Sequence, residues 1–167
     1  MSKSLENLQA AFAGESQANR KYLAFAEKAD AEGYPQIARM FRAAAEAETV
    51  HAHNHFRAMG GLNATADNLE AAIQGEHYEV VEMYPEFVGA AEEEQNKKAL
   101  GSFKWALEVE KTHEALYKGL QETLNAGGPF EEFDYYVCPV CGHTHERNAP
   151  DKCPVCGVKG SRFMRVG

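Results

Sequence analysis

At 167 residues with a net charge of -8, the chain is long enough for one well-filled core and a small appendage. Its acidity argues against nucleic acid or an anionic membrane surface as partner. There is no apolar run of the ~18 residues a membrane span needs and no signal-peptide core at the N-terminus, so the expected location is cytoplasmic.

Residues 3–32 are rich in Ala, Leu, Glu, Gln and Lys and lack proline, which predicts a first helix. Leu5, Leu8, Phe12, Glu15, Ala18, Tyr22 and Ala26 recur at spacings of three and four, so Glu15 shares the apolar stripe. Gly33-Tyr34-Pro35 ends this helix, and Pro35 suits the first turn of a second that runs to about Gly60-Gly61. A polar loop, Asn63 to Asp67, leads to a third helix from about Asn68 to Gln95. A fourth covers about Lys97 to Asn125, and Gly127-Gly128-Pro129 closes the helical part. The expected fold is an all-α four-helix bundle over residues 1–128, with a small metal-binding domain over 129–167.

The helical part is written twice. Glu46-Ala47-Glu48-Thr49-Val50-His51 returns 62 residues later as Glu108-Val109-Glu110-Lys111-Thr112-His113, and Phe41 and Ala44 return as Phe103 and Ala106. Gly14-Glu15 returns as Gly75-Glu76, offset by 61. Each copy therefore holds one lone Glu and one Glu-x-x-His, whose two side chains leave one helix face. That is half of a two-metal carboxylate site built on facing helices. Glu15, Glu48, His51, Glu76, Glu110 and His113 are the candidate ligands, with Glu79 one turn beyond Glu76. Five inward carboxylates without cations would carry an uncompensated buried charge costing several kcal/mol or more. Oxygen and imidazole donors in this mixture suit iron or manganese better than zinc. Glu46 and Glu108 sit two residues from the ligand Glu, about 160° around the helix, and are expected in solvent. His53, His55, His77, His143 and His145 have no repeat partner and are read as surface residues.

One irregularity breaks the repeat. Glu15 to Tyr22 is seven residues, two helical turns, but Glu76 to Tyr84 is eight, which would swing the second tyrosine about 80° aside. An inserted residue is commonly absorbed as a π-bulge, so a bulge or kink is expected between Glu76 and Pro85 that restores the match of Tyr22 and Tyr84. Each phenol is a candidate hydrogen-bond donor to a ligand carboxylate.

From Phe130 the helical period vanishes, and aromatics, turn residues and all four cysteines follow. Cys138-Pro139-Val140-Cys141-Gly142 and Cys153-Pro154-Val155-Cys156-Gly157 are two knuckles, with eleven residues between Cys141 and Cys153. Their spacing brings four thiolates to one tetrahedral ion, and each glycine permits a positive φ that turns N–H groups toward sulfur. Iron is the preferred occupant, given nearby aromatics and a redox-capable site in the same chain, with a structural zinc ribbon the alternative.

Together these motifs resemble the rubrerythrin family over nearly the whole chain: Gly14-Glu15-Ser16-Gln17-Ala18, Glu48-x-x-His51, Gly75-Glu76-x-x-Glu79, Glu82-Met83-Tyr84-Pro85, Glu110-x-x-His113 and the paired Cys-Pro-x-Cys-Gly knuckles. The resemblance implies a ferritin-like bundle with two irons, followed by a rubredoxin-like Fe(Cys)₄ domain. It implies a peroxidase that reduces hydrogen peroxide to water, fed from a nicotinamide nucleotide through an external redox protein such as rubredoxin or its reductase. Glu48 and Glu110 would bridge the irons, Glu15 and Glu76 would be terminal, and His113 would hold one iron. The other iron would exchange Glu79 for His51 on reduction. Glu79, His51, Tyr22 and Tyr84 are thus the candidate catalytic residues. A homodimer or larger homo-oligomer is implied, with the rubredoxin-like domain of one subunit near the di-iron site of another. Two rivals remain: a ferroxidase that handles iron, and a zinc-stabilised scaffold without catalysis.

Overall fold

The computed structural model describes residues 2–167, which divide into two compact units on either side of the 63/64 junction. The first unit is a helical hairpin. Helix α1 spans Lys3–Ala31 and is capped by Ser2, whose hydroxyl accepts from the Leu5 N–H. Gly33, at φ 81°, turns the chain, and Pro35 opens α2, Pro35–Ala58. The α1–α2 seam is lined by small side chains: Ala26, Ala29, Ala38, Ala45 and Ala52 are all buried, with Phe41 packed against the first three. A buried amide, Asn19, donates from Nδ2 to the Ala45 carbonyl at 2.7 Å and to Thr49 Oγ1 at 2.9 Å, stitching the two helices.

The second unit begins with α3, Thr65–Tyr78. The helix starts three residues earlier than its periodicity suggests. Ala64 is still extended while Asp67 sits in the first turn, where a carboxylate favours the helix N-terminus. From Glu79 to Met83 the chain is π-helical, and it continues as α4, Tyr84–Glu93. The inserted residue is thus absorbed where the repeat required it. A turn with Gln95 at φ 56° leads to α5, Lys97–Asn125, capped by the Asn96 side chain.

The π segment restores the repeat in three dimensions. In the first hairpin Tyr22 lies 6.3 Å from Phe25 and 6.2 Å from Phe41, with 5.5 Å between the two phenylalanines. In the second, Tyr84 lies 6.1 Å from Phe87 and 6.4 Å from Phe103, again with 5.5 Å between the phenylalanines. Two aromatic triads are built from residues each 62 apart.

Beyond α5 a three-stranded antiparallel sheet forms in the order β2-β1-β3, from β1 Tyr135–Val137, β2 Thr144–Glu146 and β3 Met164–Val166. Tyr136 pairs with His145 on one side and Arg165 on the other. Among the described residues no helix is long and apolar enough to cross a membrane.

Candidate metal centres

The four-cysteine site is the more regular. In each knuckle the first cysteine's carbonyl accepts from the glycine N–H, Gly142 to Cys138 at 3.0 Å and Gly157 to Cys153 at 2.9 Å. The first cysteine's own N–H is taken five residues on, by the His143 carbonyl in one copy and Val158 in the other. Gly142 and Gly157 adopt φ of 86° and 77°, the conformation that favours glycine. All four sulfurs lie within 4.8 Å of one another, with Cys138–Cys156 and Cys141–Cys153 at 3.5 Å. A tetrahedron of metal–sulfur bonds near 2.3 Å has edges of about 3.8 Å, so these sulfurs already describe one. Burial pushes the Cys138 thiol up, but N–H groups of Cys141 and Val140 outweigh it and lower the pKa to about 7, favouring thiolate.

The repeated Glu-x-x-His turns give two further clusters. Ligand atoms of Glu15, Glu48 and His51 lie within 4.8 Å of one another in the first hairpin, and those of Glu76, Glu110 and His113 do so in the second. In both, the imidazole Nδ1 faces the Glu three residues earlier: His51 to Glu48 Oε2 at 2.8 Å, His113 to Glu110 Oε2 at 2.7 Å. Two carboxylates and one imidazole per hairpin, on one face of a helix pair, are the donor set a two-metal carboxylate site requires. Glu46 and Glu108 are exposed, as their positions around the helix demand.

The acids of the second hairpin stand close enough to disturb one another. Burial and the neighbouring Glu110 raise the Glu76 pKa to about 7, against a partial offset from His113. Burial and Glu110 likewise raise Glu79, which stands on the π segment outside the 4.8 Å cluster. The hydrogen bond to Glu110 raises His113, opposed by burial. Burial and then the charges of Glu79, Glu110 and Glu76 raise Tyr84, keeping it a neutral phenol beside the acids. A proton is a weak substitute for a divalent or trivalent ion at such a site. The donor chemistry therefore fits two irons in the helical part and one at the cysteines.

Several expectations change. Neither Tyr22 nor Tyr84 hydrogen-bonds a ligand carboxylate among the described residues; both are packed by their phenylalanine partners. His143, read as a surface residue, is only 7 % exposed, and neither ring nitrogen has a partner. Burial, then His145 and His113, lower its pKa, so it sits neutral behind the knuckle. The cysteine knuckle also lies against this chain's own helix α5, where Thr144 Oγ1 is 2.9 Å from His113 Nε2. Nothing in the spacing of the sequence marks Thr144, since its role depends on which helix face the sheet covers.

The family model for rubrerythrin matches residues 6–121, and that for the rubrerythrin rubredoxin-like domain matches residues 136–164. Rubrerythrin-2 of Clostridium acetobutylicum is 36% identical over 94% of this chain and 93% of its own length. Rubrerythrin of Porphyromonas gingivalis is 37% identical over 97% and 89%. Nigerythrin of Nitratidesulfovibrio vulgaris is 36% identical over 91% and 81%. Among solved structures, fully reduced, all-ferrous nigerythrin matches with a TM-score of 0.59 and 33% identity, covering 99% of this chain and 88% of that one.

Proposed function

Because this chain belongs to the rubrerythrin family, with a ferritin-like helical part and a C-terminal rubredoxin-like domain, we propose that it is a non-haem di-iron peroxidase, reducing hydrogen peroxide to water in oxidative-stress defence. As part of the same reading we propose that electrons start from NADH and arrive through an external redox protein, that the chain works as a homo-oligomer in the cytoplasm, and that the helical part meets the rubredoxin-like part at 128/129. The coarser statement, an iron-dependent oxidoreductase of this family, stands on the family matches themselves.

The observation that carries the peroxidase reading is the cysteine knuckle seated on a ligand histidine, with Thr144 against His113. A site that consumes peroxide must be refilled with electrons, so a centre beside it that delivers them one at a time is functional. A ferroxidase draws its electrons from the ferrous ions it oxidises and has no use for such a centre, which sets the iron-handling reading second. When bound, the helical irons supply two electrons to the O–O bond together, and the Cys₄ iron supplies one at a time.

The chain's own residues do the rest. The proposed ligand set takes Glu15, Glu48 and His51 from one kind of hairpin and Glu76, Glu79, Glu110 and His113 from the other. The family resemblance implies that Glu48 and Glu110 would bridge; each is the carboxylate faced by its own histidine. Glu79 and His51 are the proposed exchanging pair. One is an acid on a π turn; the other is an imidazole whose side chain is 55% exposed and has one hydrogen-bond partner. Tyr84, kept a neutral phenol by burial and by the charges of Glu79, Glu110 and Glu76, is the proposed proton donor.

Replacing Cys153 with Ser tests the reading. Prereduced variant is expected to reduce one equivalent of peroxide at the unaltered rate, while steady turnover falls about 100-fold or more for want of a refilling centre. An undiminished steady rate would remove the relay.

A further inference from the structure

The two cysteine knuckles are built alike but stand on different feet. The strand pair Val137–Thr144 closes the first, and an isolated antiparallel bridge, Lys152–Lys159, closes the second at the same positions relative to its cysteines. Val137 and Thr144 are half-buried, whereas both lysines are exposed. The glycines mark the same difference. A Cβ on Gly142 would lie 3.9 Å from Val109 Cγ1 of α5, while one on Gly157 would meet nothing within 4 Å. Helix α5 therefore lies against the first knuckle and leaves the second open, with Pro154 exposed and Cys156 half-buried.

Charge follows the same division. Residues 129–167 hold five acidic and five basic side chains, so the whole net charge of -8 falls on residues 1–128. Within 129–167, Arg147 is paired with Glu131 and Arg165 with Asp134. Lys152, Lys159 and Arg162 are exposed and have no ion-pair partner among the described residues. Two lysines opposite one another are unfavourable by themselves, since like charges across a strand pair repel. An open knuckle framed by unpaired cations, on an otherwise acidic chain, is complementary to an anionic surface and would orient it before contact.

We propose that the second knuckle, with Lys152 and Lys159 at its feet, is where the external electron-donor protein docks, and that this partner carries an acidic rim around its own redox group. The proposal rests on the proposed function, which requires such a donor. In the docked pair one electron passes and no atom: the donor is oxidised, and the cysteine-bound iron goes from ferric to ferrous.

The test uses full-length wild type, Lys152→Gln/Lys159→Gln, and Lys97→Gln/Lys98→Gln, which removes the same charge from the start of α5. The probe is an acidic flavodoxin. In zinc-loaded, redox-silent protein, the oxidised probe is expected to shift the wild-type amide NMR signals of residues 152–160 and to leave them unmoved in K152Q/K159Q. Shifts centred on the helical part overturn the docking face. In iron-loaded protein, the fully reduced probe is mixed at low salt and its one-electron oxidation is followed by the colour it develops. The second-order rate constant is expected to fall about tenfold or more in K152Q/K159Q and less than about twofold in K97Q/K98Q. The gap is expected to close toward 1 M salt, where the Debye length is about 3 Å. Equal rates in the two double variants overturn the proposal. The flash-generated neutral lumiflavin radical, small and uncharged, is expected to reduce all three proteins alike. A matching loss with that donor traces the effect to a damaged Cys₄ centre and overturns the docking role. A salt-sensitive fall in oligomer size confined to K152Q/K159Q gives the face to a second copy of the chain, which also overturns it. No peroxide is added, so failure of the peroxidase reading appears separately, as unaltered peroxide in a consumption assay.

Discussion

The two Glu-x-x-His turns are the same sentence read in two settings. Glu48 and Glu110 are equally sheltered, at 18% and 16% side-chain exposure, yet His51 is 55% exposed and His113 only 28%. The difference comes from what lies across each imidazole. The cysteine domain covers His113 and hands it a hydroxyl; within its own unit His51 has Glu48 alone. Duplication supplied two equal half-sites, and the appended domain made them unequal. The more exposed imidazole, His51, is the one proposed to exchange with Glu79 at one iron.

The comparison breaks most decisively at the histidines themselves. His113→Ala is expected to lower iron retention by at least the 10–100-fold that losing a mere supporting partner costs, with His51→Ala distinctly milder. Iron per chain after dialysis against a chelator reads this directly, and equal losses would mean that the two positions are equivalent after all. Next comes the π segment. Deleting Val80 would return Glu76 and Tyr84 to seven-residue spacing and force a regular helix onto a backbone that packs as a bulge. Two aromatic contacts of Tyr84, each worth about 0.5–1.5 kcal/mol, would be lost, so a destabilisation of about 1–3 kcal/mol is expected in denaturant titration. An unchanged midpoint would show that the triad of the second hairpin does not depend on the insertion.

The smallest effect is on pH. In metal-free protein Glu76, Glu79 and His113 all have folded pKa values raised above their ordinary ones. The folded state therefore holds more protons than the unfolded one, and stability falls as pH rises from the ordinary carboxylate range through about 7, where Glu76 loses its proton. Denaturation midpoints of the apo-protein should drop between pH 5.5 and 8, and Glu76→Gln should flatten that slope. A slope unaltered by Glu76→Gln would place its origin elsewhere.

Much of this was legible in the residues. Spacings of three and four fix which side chains share a helix face, so the clustered candidate ligands of each hairpin could be named from Glu15, Glu48 and His51 and from their echoes. One residue too many between Glu76 and Tyr84 could be absorbed only by a wider turn, and the π segment from Glu79 is that turn. Cysteines two residues apart, followed by glycine, admit few geometries, and both knuckles adopt the expected one. These are local consequences of backbone period and conformational freedom, and the sequence determines them by itself.

What it did not determine depends on the meeting of segments distant along the chain. That Thr144 would reach His113, 31 residues away, or that His143 would be buried without a partner, follows from which face of α5 the small sheet covers. No period in the chain encodes that choice, because packing between elements is decided by the fit of whole surfaces. The local pattern supplied the candidate metal ligands; only the tertiary structure made one half-site different from the other.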